Sequence, residues 1–294
     1  MIEIDPLIDY SKEQHRAIAF IDMKSFYASV ECVERGLNPL STSLCVMSGA
    51  DNSAGLILAS SPTFKKVFGK DNVGRSRDLP FYTNNRKFNY QNYYRTALRD
   101  WLNKVNPPSK SEVAFIESWA KRTEIVLPRM SKYIEKNIEI QHVIQNFASP
   151  EDMFWYSIDE GFVDLTSSLN YFYDKALPAE VKLDKLSKEI QLAILNQTGI
   201  YSTVGMSIGN PLLAKLALDN EAKHNGNMRA LWTYENIPDK VWKIKSLTDF
   251  WGINTRTEKR LNKLGIKSVY DLAHCSPALL KKEFGVVGVQ RGLV

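Results

Sequence analysis

Cysteine is scarce in this 294-residue chain: Cys32, Cys45 and Cys275 form no CxxC pair and leave an odd thiol. That argues against a disulfide framework and a cysteine-rich zinc site, and it fits a reducing compartment. Long hydrophobic runs are missing too. No segment approaches the ~18–20 apolar residues of a membrane span, and the opening MIEIDPLIDYSKEQHR carries acids instead of an apolar stretch. The expectation is a cytoplasmic chain without membrane association. Repeats at solenoid periods and low-complexity tracts are also absent. What is present is 44% hydrophobic and 11% aromatic residues, enough core for two or three globular domains, and a net charge of +5 that suits a polyanionic partner.

The run RAIAFID (residues 16–22) is short, apolar and β-friendly and ends on an acid; MKSFYASVECVERG behind it reads as a helix closed by Gly36. Two more strand-like runs, SLCVMSG (43–49) and GLILAS (55–60), precede SPTFKKVFG, where Ser61 is placed to cap a helix with Pro62 in its first turn. Residues 77–128 turn aromatic and basic and read as an insertion containing a helical SEVAFIESWAKR. A long helix is expected over 128–147, then WYSIDEGFVDL, then the amphipathic VKLDKLSKEIQLAILNQTG and the strand-like YSTVGMSIG. Strand, helix, strand pair, helix, strand is an α+β arrangement, a split βαβ of ferredoxin-like type. After His224 and Asn225 the pattern predicts several short helices joined by Gly-containing turns, a small all-α domain.

Within WYSIDEGFVDL, Asp159 and Glu160 stand side by side between apolar flanks that suggest two antiparallel strands joined at the acids. Asp22 ends a strand of the same proposed sheet. Three carboxylates could then meet at one rim, where divalent cations relieve their repulsion. Oxygen donors with no His or Cys nearby favour Mg2+ over zinc, and two such ions can clamp the attacking and leaving oxygens of phosphoryl transfer. On adjacency alone, the pair also reads as solvated hairpin acids.

In order along the chain, FIDMKSFYASVE, YSIDEGFVDLT, TVGMSIGNPLLAKLALDNEAKHNG and FWGINTRTEKRLNKLGI resemble the Y-family translesion DNA polymerases, in particular the UmuC-like (ImpB/MucB/SamB) branch of Gram-positive type. The resemblance covers nearly the whole chain. It implies a DNA-directed DNA polymerase of repair and damage tolerance (SOS mutagenesis), acting as a monomer on primer–template DNA and dNTPs with two Mg2+ ions. A sliding clamp or an accessory mutagenesis protein is implied as a partner of full-length relatives. The implied layout is a ferredoxin-like palm (residues 1–26 and 129–223), fingers (27–128, with the 77–128 insertion) and a helical thumb with a helix-hairpin-helix (224–294).

Carried over by motif, Asp22, Asp159 and Glu160 are catalytic metal ligands, joined by the backbone carbonyl of Met23. Tyr27, with Phe26 beside it, would block a ribose 2′-hydroxyl. Lys215 would reach the triphosphate, as would Lys66 or its neighbour Lys65, while Thr63 stands where many relatives have a phosphate-binding Tyr. Gly252, Asn254, Thr255 and Arg256 fall in the helix-hairpin-helix, whose backbone N–H groups hold DNA phosphates; Asn254 replaces the usual second glycine, and Asn tolerates a left-handed turn. An ordinary packing unit of two helices is the alternative there.

Tyr82, Arg86, Lys87, Phe88, Tyr93 and Arg95 read either as a stacking platform for template or as the insertion's own small core. The sequence departs from the family pattern in stopping at GVQRGLV, without the little-finger domain. A truncated, catalytically weak or silent DNA-binding remnant is therefore the competing reading, and a nucleotide cyclase with a similar metal-binding palm a more distant one.

Overall fold

The computed structural model describes residues 9–49, 55–68, 74–94 and 107–286. Arg95 and the terminal GVQRGLV lie outside them. The strands are β1 (Arg16–Met23), β2 (Leu44–Met47), β3 (Ile57–Ser60), β4 (Glu124–Val126), β5 (Met153–Trp155), β6 (Glu160–Asp164), β7 (Ser202–Gly209) and β8 (Arg229–Thr233). The principal helices are α1 (Phe26–Val33), α2 (Pro62–Phe68), α3 (Lys110–Lys121), α4 (Met130–Ile144), α5 (Ala179–Thr198), α6 (Pro211–Asn220), α7 (Thr255–Lys263), α8 (Val269–Ala273) and α9 (Pro277–Phe284). The chain divides into two compact units: residues 1–22, 145–191 and 203–294, and residues 23–144 and 192–202.

The first unit is built on a five-stranded sheet in the order β5-β6-β1-β7-β8. Its first four strands have the split βαβ order expected, with β1 between the β5–β6 hairpin and β7. The fifth, β8, lies in the segment expected to be all helix, and it pairs in parallel with β7. Only five residues long, with burial alternating at Ala230 and Trp232, it carries too short a pattern to be told from a turn until β7 is beside it.

Ile18 and Phe20 of β1 share one core with Leu213 and Leu216 of α6, Phe250, and Leu261 of α7, so the helical C-terminal region is continuous with the sheet's packing. Each such side chain stabilises the fold by roughly 1.5–3 kcal/mol. Gly205 of β7 allows α6 to settle onto the sheet. A Cβ there would fall 2.1 Å from the Ala214 carbonyl oxygen and 2.4 Å from the Leu218 nitrogen, a backbone clash that no side-chain movement relieves.

The second unit holds a three-stranded sheet, β3-β2-β4. β2 runs antiparallel to β3 and parallel to β4, the latter contributed by the end of the 77–128 segment. Trp119 of α3 donates its indole N–H to Ser43 Oγ at 3.0 Å, tying that segment back to the edge of β2. Phe81, Phe88, Tyr93, Ile116 and Trp119 form a core with Cys45, Met47 and Phe64. The buried aromatics of the segment thus belong to a core shared with β2 and α2, not to a separate one of its own, whereas Tyr82 and Lys87 are exposed.

Ser61 caps α2 as expected, accepting from the Phe64 N–H at 3.3 Å. All three cysteines are free thiols; burial pushes Cys32 up to about 11 and Cys45 up to about 12, which keeps both unreactive. Among the described residues no helix is long and apolar enough to cross a membrane.

Candidate active site

Strand alternation puts Ile18, Phe20 and Asp22 on one face of β1, and antiparallel register sets them opposite Asp164, Phe162 and Glu160 of β6. Asp22 and Glu160 thereby face each other at the end of the β1–β6 ladder. The hairpin expected around the acids is present, with Asp159 in its turn and Glu160 opening β6. Ser157 Oγ donates to Asp159 Oδ1 at 2.8 Å.

Helix α6 brings positive charge to these acids. Asn210 caps it by accepting from the Leu213 N–H at 2.9 Å, and Pro211 opens its first turn. Lys215 and Asp219 lie four apart on this helix, and Lys223 follows after four more in a short 3-10 turn, so the three share one side. Lys215 Nζ meets Glu160 Oε2 at 2.6 Å and Asp219 Oδ2 at 3.3 Å; Lys223 Nζ meets Asp22 Oδ2 at 3.4 Å and Asp219 Oδ1 at 2.9 Å. Tyr156 adds a hydrogen bond from its hydroxyl to Glu160 Oε1 at 2.6 Å. Lys215 also lies 4.9 Å over the Phe20 ring, which covers its stem.

The acids respond differently to this setting. Burial raises Asp22; Lys223 and Lys215 pull the other way, Glu160 and Asp159 add to the rise, and the carboxyl stands at about 6. Burial would raise Glu160 too, but the hydrogen bonds from Lys215 and Tyr156 outweigh it and hold Glu160 below its ordinary value. Burial would lower Lys223, whereas the Asp22 and Asp219 charges hold it above the usual lysine range.

Among the described residues, no three His, Cys, Asp or Glu side chains are drawn together tightly enough to enclose an ion. At the expected rim of three carboxylates Asp22 and Glu160 face each other, and Asp159, which accepts from Ser157, lies near enough for its charge to act on Asp22. The donor chemistry nonetheless fits Mg2+, being oxygen only. Asp219, Lys223 and Tyr156 were missed as site residues, although the four-residue spacing within AKLALDNEAK was a readable signal for the first two.

In the second unit, Met23 closes β1 and is buried. Ser25 turns the chain from β1 into α1 with φ of 50°. Phe26 is buried, while Tyr27 is half-buried and stacks on Tyr133 with ring centres 4.3 Å apart and planes 13° from parallel. Lys66 is exposed on α2, and Thr63 donates its hydroxyl to the Leu40 carbonyl at 2.7 Å.

In the helical region of the first unit, Gly252, Asn254, Thr255 and Arg256 are all exposed. Gly252 takes the positive φ, 86°. Asn254 does not adopt the left-handed turn expected of it: its backbone is extended (φ −97°, ψ 172°), and its side chain caps α7 by accepting from the Arg256 and Thr257 N–H groups. An extended backbone is what an N-cap requires, so the capping role decides the conformation.

The fold is that of solved Y-family DNA polymerases. The structure superposes on an insertion ternary complex of the Dbh DNA polymerase with a TM-score of 0.65 at 20% identity, covering 94% of this chain and 66% of that one. DinB from Sulfolobus solfataricus superposes with a TM-score of 0.63, also at 20% identity, covering 94% and 65%.

More narrowly, the model of the impB/mucB/samB family matches residues 109–219, and that of the IMS family HHH motif matches 234–266. The chain is 34% identical to UvrX of Bacillus subtilis over 284 residues, which is 97% of this chain and 56% of that protein. It is 30% identical to DNA polymerase IV 2 of the same organism, over 94% of this chain and 54% of the relative. MucB of Escherichia coli is 32% identical over 158 residues, 53% of this chain and 34% of MucB. The chain thus spans about half the length of the first two relatives.

Proposed function

We propose that the chain performs template-directed nucleotidyl transfer as a translesion DNA polymerase, extending primers on damaged DNA. The observation that carries this reading is Asp22 facing Glu160 across the β1–β6 ladder, with Lys215 and Lys223 bridging both to Asp219. Asp22, Asp159 and Glu160, with the Met23 carbonyl, would hold Mg2+. When bound, two such ions neutralise the triphosphate, activate the primer 3′-hydroxyl and stabilise departing pyrophosphate.

The lysines hold the acids' charge in balance until an anionic nucleotide arrives. Lys223, with 35% of its side chain exposed against 5% for Lys215, is the ammonium better placed to exchange carboxylate for phosphate, a role first expected of Lys215. Lys66 adds a solvent-facing charge from α2. Thr63 has its hydroxyl proton committed to Leu40, so it brings a phosphate little. The Tyr27 ring excludes a ribose 2′-hydroxyl by contact. Arg256 and the backbone around Gly252 hold template–primer phosphates without reading sequence.

Damage tolerance of the SOS type and clamp or accessory-protein engagement belong to the same proposal. The test is primer extension on an undamaged template at low salt with Mg2+. Asp159→Ala should abolish extension, a loss of several kcal/mol of transition-state stabilisation, while folding and DNA binding stay near wild type. Extension by the variant at wild-type rate would overturn the metal assignment, and a cyclic nucleotide product would replace polymerase with cyclase.

A further inference from the structure

A second charged cluster, in the unit that carries Tyr27, takes no direct part in the proposed chemistry. The Glu31 side chain is wholly enclosed, 0% exposed, yet it is ionised by its partners. Arg129 grips it with both edges, Nε donating to Oε1 at 3.0 Å and Nη2 to Oε2 at 2.8 Å, and Arg35 donates to Oε2 as well. The fourth hydrogen bond comes from Tyr133, whose hydroxyl donates to Oε1 at 2.9 Å. Burial would raise the Glu31 carboxyl, but hydrogen bonds from Arg129, Arg35 and Tyr133 together hold it below its ordinary value.

Tyr133 joins this cluster to Tyr27. Its side chain is fully buried, its hydroxyl is fixed by Glu31, and its ring lies flat against Tyr27. Tyr27 and Glu31 are four residues apart on α1, so they present to the same side of the helix. Tyr133 and Arg129 enter together at the start of α4. The carboxylate, hydrogen-bonded to the phenol, and the phenol ring, stacked on the outer ring, therefore form one connected chain. An aromatic wall that selects by contact must not yield when an extra hydroxyl presses on it, and a stack between two rings can slide unless one ring is pinned.

We propose that Glu31 is a positioning residue for sugar discrimination: through its hydrogen bond it pins Tyr133, and Tyr133 sets the plane of Tyr27. This deepens the proposed polymerase reading and rests on Tyr27 as the sugar wall. Removing the pin leaves the stack in place but lets it slide, so the ribonucleotide gains more than the deoxynucleotide does.

The test measures kcat and KM for single dNTP and rNTP additions by the full chain with Mg2+, in Tyr27→Ala, Tyr133→Phe and Glu31→Gln. Tyr133→Phe keeps the ring and loses only the hydrogen bond. It should cut discrimination roughly fivefold, with dNTP kcat unchanged and the gain carried by kcat/KM for rNTP, and Glu31→Gln should move it the same way. Tyr27→Ala should cut it by about a hundredfold. Wild-type discrimination in a folded Tyr133→Phe, with Tyr27→Ala impaired, overturns the role of Glu31. Wild-type discrimination in Tyr27→Ala instead overturns the reading of Tyr27 and this proposal with it. Should Glu31→Gln not fold, Tyr133→Phe decides, and NMR on ring-labelled tyrosine supplies a readout apart from activity. The Tyr27 ring signals should shift and broaden in Tyr133→Phe; signals identical to wild type, beyond those lost with the Tyr133 hydroxyl, overturn the proposal.

Discussion

Glu31 and Glu160 are both carboxylates with cationic partners, yet Glu31 is fully enclosed and gripped by two guanidinium groups, whereas Glu160 keeps 19% of its side chain open and meets one ammonium at 2.6 Å. Arginine presents a planar fork that fixes a carboxylate in orientation, while lysine is a compact, strongly hydrated point charge that changes partners readily. The first arrangement suits an acid that must stay where it is. The second suits acids that must be handed to another cation when substrate arrives. A buried ion pair is weak evidence of added stability, because desolvation offsets much of the attraction; what it supplies here is a fixed direction for Tyr133.

The widest separation between the two regions should come from removing each carboxylate. Glu31→Ala leaves Arg129, Arg35 and the Tyr133 hydroxyl without their shared acceptor and should cost about 2–4 kcal/mol in denaturant unfolding, with the arginines' partial exposure keeping it from the top of the range for broken buried pairs. Glu160→Ala should cost less, about 1–2 kcal/mol, because the buried Lys215 keeps Asp219 as a partner, while abolishing primer extension. Similar unfolding midpoints for the two variants would erase the distinction.

Acid titration of the metal-free protein should separate Asp22 from Glu31 next, because these two acids shift in opposite directions. Asp22 stands at about 6 against an ordinary 3.8, so its contribution to stability is complete below about 3.8 and is lost as pH rises through 6. Glu31 is held below its ordinary value, so its contribution is present at neutral pH and is lost as pH falls through the folded value. Asp22→Asn should therefore stabilise the metal-free chain at pH 8 by about 1–3 kcal/mol and leave it unchanged near pH 3.5. Thermal unfolding at the two pH values measures this, and destabilisation at pH 8 would show that the Lys223 pair outweighs burial.

The smallest effect concerns the helical region, where the Asn254 carboxamide occupies two N–H groups at the start of α7. Asn254→Ala should cost about 1 kcal/mol of stability. If DNA phosphates take over those N–H groups on binding, the same variant should lose less stability with DNA bound than without it. Thermal shifts with and without a primer–template duplex compare the two; an equal loss in both would mean the Asn cap persists in the complex.

Much of the scaffold was legible from local pattern. The strand ending at Asp22, the Ser61 cap, the hairpin at the acid pair and the amphipathic helix before β7 all follow from periodicity and end signals within a dozen residues. Burial of the aromatics of the 77–128 segment was among the readings its composition allowed, but not that they share their core with Cys45, Met47 and Phe64. Less accessible were β8, whose five residues make sense only beside β7, and Asn254, where tolerance of a left-handed turn suggested one conformation and capping chemistry required another.

Residue order and spacing thus settled which elements form and which acids stand at their ends, because those properties depend on neighbours a few positions away. Folding supplied the partners. Glu160 is set against Asp22 by ladder register, Lys215 reaches it because Gly205 lets α6 lie close on β7, and Arg129 meets Glu31 across 98 positions of chain. Contacts of that kind come from packing distant segments into a shared interior, where an uncompensated charge is too costly to leave alone; Arg35 is within local reach of Glu31, but Arg129, and the lysines of Asp22 and Glu160, arrive only once the chain has closed.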